Sequence, residues 1–238
     1  MKNKRSILAL LSVSLLAAPI AINQPWVTAH TQDESHDHDH DHDHDHDHDH
    51  DHDHEKKDHQ HGIFEDKDVK ERELSDWHGE WQSIFPYLTA GDLDEVMAHK
   101  AEHDDKMTAE EYKEYYTKGY ETTIDKIDIH SEDHSITFHE GEESYVGYYE
   151  SAGHEILTYE SGKKGVRYLF TATDQSDEKA PKYIQFSDHE IAPTKAHHFH
   201  IFMGNSSHEE ILEEMENWPT YYPANLTKEE IVHEMLAH

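Results

Sequence analysis

Between Thr122 and Met203 the chain is cut into short, apolar-patterned segments separated by turn residues, and this spacing limits the fold more than any other feature. Residues 123–129, 135–138, 143–149, 155–159, 165–171, 182–188 and 196–203 each read as a strand. Gly141, Gly153 and the run Ser161-Gly162-Lys163-Lys164-Gly165 supply the turn chemistry between them. Connections of hairpin length make neighbouring strands antiparallel, and a meander of this many strands closes into a barrel to remove its edges. Helices are expected on either side. One spans residues 92–103 and another 108–118, where Thr108 and Glu111 have capping-box spacing. Two more open at Ser207-His208-Glu209-Glu210 and Thr227-Lys228-Glu229-Glu230, with Trp218-Pro219-Thr220-Tyr221-Tyr222-Pro223 interrupting them. Asn205-Ser206-Ser207 and Asn225-Leu226-Thr227 match glycosylation sequons but are better explained as helix starts. The expected class is mainly β with flanking α-helices, an antiparallel β-barrel.

Two stretches precede this region and belong to no barrel. Met1-Lys2-Asn3-Lys4-Arg5 followed by an apolar run over residues 7–22 has the form of a secretory signal peptide, with cleavage expected after Ala29. The run is too short for a convincing membrane span, so no membrane insertion is expected after cleavage. Residues 36–54 alternate His and Asp without a break, giving ten imidazoles flanked by carboxylates. Lacking apolar residues, such a stretch cannot offset its chain entropy, and it is expected to be disordered when metal-free. It can assemble overlapping sets of nitrogen and oxygen ligands that empty as the imidazoles protonate. The expected organisation is a signal peptide over 1–29, a His/Asp-rich metal-binding tail over 30–61, and a folded domain over 62–238.

The sequence has no cysteine, which excludes disulfides, thiolate zinc sites and lipid attachment through cysteine. The mature protein is expected outside the cytoplasmic membrane, secreted or periplasmic. Formal charge is −33, most of it outside the His-Asp tail. Such a surface repels phosphate backbones and attracts cations, so no nucleic-acid partner is expected.

Within the apolar-patterned region, imidazoles concentrate between Phe186 and Phe202. If residues 182–189 and 196–203 form one hairpin, pairing His189 with Ala196 places Ser187 opposite His198 and Gln185 opposite His200. His189, His198 and His200 then share one face, while Asp188 and His197 point away. A one-residue slip would break the constellation. Three neutral imidazoles suit Zn2+ and leave a position for water, a carboxylate or a donated ligand. His99 and His103 lie four apart on a helix with no third imidazole nearby, and read as solvated residues. No serine or cysteine nucleophile, phosphate loop or dinucleotide fingerprint is present. The one catalytic option is metal-assisted hydrolysis, for which Glu190, Tyr159, Tyr168 and Tyr183 could line a site, though strand tyrosines are more often core. The chain is therefore read as a binding protein and not an enzyme, with a zinc hydrolase or a lipocalin-type carrier of a small organic molecule as the competing classes.

Several long motifs sharpen this reading. They are Gly-Ile-Phe at 62–64, Leu-Ser-Asp-Trp-x-Gly-x-Trp-Gln-Ser at 74–83, Tyr-x-Lys-Gly-Tyr at 116–120 and Ile-Leu-Thr-Tyr-x-Ser-Gly-Lys-Lys-Gly-Val-Arg-Tyr-Leu-Phe at 156–170. Lys-Ala-Pro-Lys-Tyr-Ile-Gln-Phe-Ser-Asp-His at 179–189, His-Phe-His-Ile-Phe-Met-Gly-Asn at 198–205 and Glu-Met-Glu-Asn-Trp-Pro-Thr-Tyr-Tyr-Pro at 214–223 complete the set. Through them residues 62–238 resemble the ZinT (YodA) family of bacterial zinc- and cadmium-binding proteins. The resemblance implies a lipocalin-like (calycin) barrel and a Zn2+ or Cd2+ site at His189, His198 and His200. It also implies work alongside the substrate-binding protein of a zinc ABC importer. The chain departs from the family in its long His-Asp tail and in carrying His78 where an acidic residue can stand.

Overall fold

The computed structural model describes residues 59–103, 106–159 and 161–237. The expected signal peptide over 1–29 and the His-Asp repeat over 36–54 lie outside these residues. Eight strands form one closed antiparallel barrel in chain order: β1 (Gly79–Ser83), β2 (Lys126–His130), β3 (Ser135–Glu140), β4 (Glu143–Thr158), β5 (Lys164–Ala172), β6 (Tyr183–Ser187), β7 (Phe199–Gly204) and β8 (Thr220–Pro223). Strand β8 pairs back onto β1 and leaves no open edge. The expected barrel with flanking helices is the observed architecture.

Three local expectations are corrected. Residues 143–149 and 155–158 belong to one strand, β4, because Gly153 (φ 92) sits at a register shift against β5 and makes a bulge where a turn was expected. The segment expected to interrupt the last two helices instead supplies β8, whose Tyr221 and Tyr222 are good strand formers. Its Pro223 is tolerated because it ends the strand. A helix not signalled by the pattern, α1 (Phe85–Ala90), follows β1, with Pro86 in its first turn and Gly91 (φ 85) as its left-handed cap.

The other four helices are α2 (Asp94–His103), α3 (Ala109–Tyr120), α4 (His208–Leu212) and α5 (Lys228–Ala237). Three of these four begin where their caps predict, and α2 begins two residues later than expected. Thr108 and Glu111 cap α3 reciprocally, Thr227 and Glu230 do the same for α5, and Ser207 accepts from the Glu210 amide at α4.

Strand alternation divides the apolar residues into two cores. Trp81, Ile127, Phe138, Tyr149, Phe170, Phe186, Phe199 and Tyr221, one from each successive strand, fill the barrel with Trp77. Trp77 stacks on Phe186 at 4.8 Å and Trp81 meets Phe199 edge-on at 4.8 Å. Phe202 and Tyr222, on the opposite face of β7 and β8, join Leu88, Val96, Met97, Tyr116 and Ile231 in a second core. The helices are therefore packed on the outer wall of the barrel, beside β7 and β8.

Candidate metal centre

Strands β6 and β7 pair Ser187 with His200 and Gln185 with Phe202. This register differs by two residues from the expected one, so the His189–Ala196 pair does not form and residues 188–198 make a longer connection. A two-residue shift preserves the parity of β7 and keeps His200 on the expected face, while the path of the connection brings His189 and His198 to it. His189 and His198 lie in the connection, His200 in β7, and one ligand nitrogen from each lies within 4.8 Å of the others. Ring centroids are 5.7 Å apart for His189–His198, 5.5 Å for His189–His200 and 5.7 Å for His198–His200. This near-equilateral triangle suits three imidazoles around one tetrahedral zinc, whose ring centres stand on the order of 5 Å apart for bonds of about 2 Å.

Neighbouring groups fix each ring. Phe199 and Ile201 belong to the barrel interior, so His200 between them faces the outer wall. Its Nδ1 lies 2.7 Å from Thr220 Oγ1, and the Thr220 hydroxyl donates to the Trp218 carbonyl at 2.9 Å. With the hydroxyl proton so committed, Nδ1–H of His200 must donate to Thr220, and Nε2 carries the lone pair a metal needs. Burial, reinforced by charge at His189 and Arg167, pushes His200 down to about 3, so its ring is neutral at neutral pH. His198 stacks on Tyr222 of β8 at 5.1 Å with an interplanar angle of 12°.

His189 has φ 67, a left-handed conformation that non-glycine residues adopt only when the surroundings impose it. The constraint comes from the chain before β1. Lys70 N donates to Ile191 O, Thr194 N to Asp76 Oδ2 and Ala196 N to Asp76 O. Arg72 reaches Asp76, Asp188 and the Thr194 carbonyl, with its guanidinium 4.2 Å over the Trp77 ring. Burial pushes the Asp188 carboxyl up, and the Arg72 hydrogen bond opposes it.

Other expected candidates stand apart. Asp188 and His197 point away from the triangle as expected, Asp188 into the Arg72 network and His197 into solvent. His78 lies with Ser131 and Glu132, and His99 and His103 meet at 4.1 Å with a 40° tilt on α2. The Glu190 carboxylate is engaged by His59 and Gln60, while Tyr168 is buried core and donates to the Glu190 carbonyl at 3.4 Å. Tyr159 is 42% exposed, and Tyr183 packs on His208. Among the described residues no carboxylate joins the three imidazoles in one ligand set. Thr220, Tyr222, Arg72 and Asp76 escaped the sequence reading, and the Tyr-Tyr pair of β8 was the one available signal.

A family model described as ZinT (YodA) periplasmic lipocalin-like zinc-recruitment matches residues 55–238. The chain is 51% identical over 177 residues to the probable metal-binding protein YrpE of Bacillus subtilis, covering 74% of this chain and 69% of YrpE. It is 54% identical over 179 residues to the zinc-binding lipoprotein AdcA of Streptococcus pneumoniae, covering 75% of this chain and 35% of AdcA. The match thus spans about a third of AdcA's length. In structure it is similar to the Zn(II)-bound ZinT-like domain of that AdcA, with a TM-score of 0.71 and 52% identity over 75% of this chain and 97% of the domain.

Proposed function

The chain belongs to the ZinT (YodA) family, and from that premise we propose that it is an extracytoplasmic zinc carrier, secreted or periplasmic, whose cargo is bound by His189, His198 and His200. The near-equilateral placement of three rings, one with its tautomer fixed by Thr220, carries this reading. Three neutral nitrogens make a tight site for Zn2+, and Cd2+ is accepted by the same donors. The fourth position is the handle for transfer, because an incoming ligand can bind before the protein's own ligands leave. The receiving partner is the substrate-binding protein of a zinc ABC importer. A signal peptide over 1–29 places the chain outside the cytoplasmic membrane, and the His-Asp tail gathers further ions at weaker sites.

The chain is not an enzyme on this reading. Of the two carboxylates that flank His189, Asp188 is engaged by Arg72 and Glu190 by His59 and Gln60, so neither is free to act as a base. Nor is it a carrier of organic ligands, since aromatic rings fill the barrel interior. The test is zinc titration of the full chain and of the His198→Ala/His200→Ala double variant. One tight equivalent should vanish while the weak tail sites remain. Unchanged tight binding would sink the assignment.

A further inference from the structure

We propose that His59 and Glu190 form a second, weaker divalent-metal subsite beside the three-imidazole centre, where the His-Asp tail meets the barrel. The inference rests on the zinc-carrier reading and adds a transit point to it. His59 Nε2 lies 3.1 Å from Glu190 Oε2 across 131 residues of sequence. Two donors bound to one tetrahedral zinc through bonds of about 2.0–2.2 Å stand roughly 3.3 Å apart, close to this separation. The side chains are 14% and 22% exposed, sheltered enough to be held in place and open enough to exchange an ion.

Both donors are positioned by the fold. Glu190 Oε1 accepts from Gln60 Nε2 at 2.9 Å, and the Glu190 amide donates to Asp188 Oδ1 at 3.3 Å, which turns Oε2 toward His59. On the other side, Gly62 N donates to His59 O at 2.9 Å and Lys164 N to Gly62 O at 2.8 Å. Gly62 has φ 76, and a Cβ there would stand 2.6 Å from the Lys164 carbonyl oxygen, so this close approach requires glycine. His59 is thus anchored against the β4–β5 hairpin end, and Glu190 directly follows the ligand His189 in the chain.

Two protein donors leave the remaining positions to water, which makes such a site weak and quickly exchanging. Those properties suit passage of an ion from the tail to the three-imidazole centre and do not suit storage. The alternative is a hydrogen bond that only tethers the chain.

The test uses the full chain with imidazole nitrogens labelled in 15N and zinc as the probe. The His59 signal, identified by its absence in His59→Ala, should shift as zinc is added beyond the first tight equivalent. In Glu190→Gln the same shift should need at least tenfold more zinc. The His198→Ala/His200→Ala variant should keep the His59 response while losing the tight equivalent, so the two assignments fail separately. An unmoved His59 signal at saturating zinc, or an equal response in Glu190→Gln, would leave a hydrogen bond only and overturn the subsite. Zinc-edge anomalous diffraction from crystals of the full chain gives a second readout: a peak within bonding distance of both donors supports the subsite, and a peak at the three-imidazole centre alone refutes it.

Discussion

Arg72 Nη1 donates to Asp188 Oδ1 at 2.5 Å across 116 residues of sequence, and both side chains are closed off from solvent. The pair joins the segment before β1 to the residue preceding His189, whose left-handed backbone needs that support. Removing one member of a buried ion pair strands the other and costs about 3–5 kcal/mol. Arg72→Met should therefore lower unfolding stability by about 3 kcal/mol in urea titrations. It should also weaken tight zinc binding at least tenfold by competition with a chromophoric chelator. Loss of stability with intact affinity would show that His189 is held by other contacts.

On the proposed assignment, Thr220 acts on the metal through His200. Partners of a ligating imidazole are typically worth about 10- to 100-fold in metal affinity. Thr220→Val, similar in size, removes the oxygen that accepts from His200 Nδ1, and zinc affinity should fall by about tenfold with the fold retained. Competition titration alongside a thermal melt separates the two effects.

His200 also gives the metal-free protein a pH dependence. Its folded value is lowered from 6.5 to about 3, led by burial. Between those values the unfolded chain binds a proton that the folded state refuses, so stability present above pH 6.5 is lost as pH falls. By pH 5 the loss from this group is about 2 kcal/mol. Denaturant unfolding at pH 8 and pH 5 should show a drop larger by about that amount in the wild type than in His200→Gln. Equal drops would mean that His200 takes up its proton in the folded state as readily as in the unfolded one.

Gly119 on α3 faces Trp218, where a Cβ would lie 2.4 Å from the indole ring and the Trp218 amide donates to the Gly119 carbonyl. Alanine favours a helix by about 1 kcal/mol, but overpacking costs about 1–3 kcal/mol. Gly119→Ala should therefore melt several degrees below wild type in calorimetry. Because the Trp218 carbonyl accepts from the Thr220 hydroxyl, the zinc affinity of this variant should fall as well.

The clustering of three imidazoles was legible in the sequence because His189, His198 and His200 fall within a dozen residues around one predicted hairpin. A register misplaced by two residues still sets His198 and His200 on one side. β8 was obscured because Pro219 and Pro223 frame it and suggest a break, so Thr220 and Tyr222 went unseen with it. The contacts of Arg72 with Asp188 and of His59 with Glu190 join residues more than a hundred positions apart, where no local periodicity points from one to the other. Tertiary closure alone brings them together.

β7 turns Phe199 and Ile201 inward, which leaves His200 on the outside of a barrel already filled with rings. Cargo held there can leave without the barrel unlocking. Loading and unloading on this assignment are ligand-substitution reactions whose rates rise with the concentration of the incoming chelator. Stiffening the barrel should leave those rates unchanged, while crowding the outer face around Tyr222 should slow them.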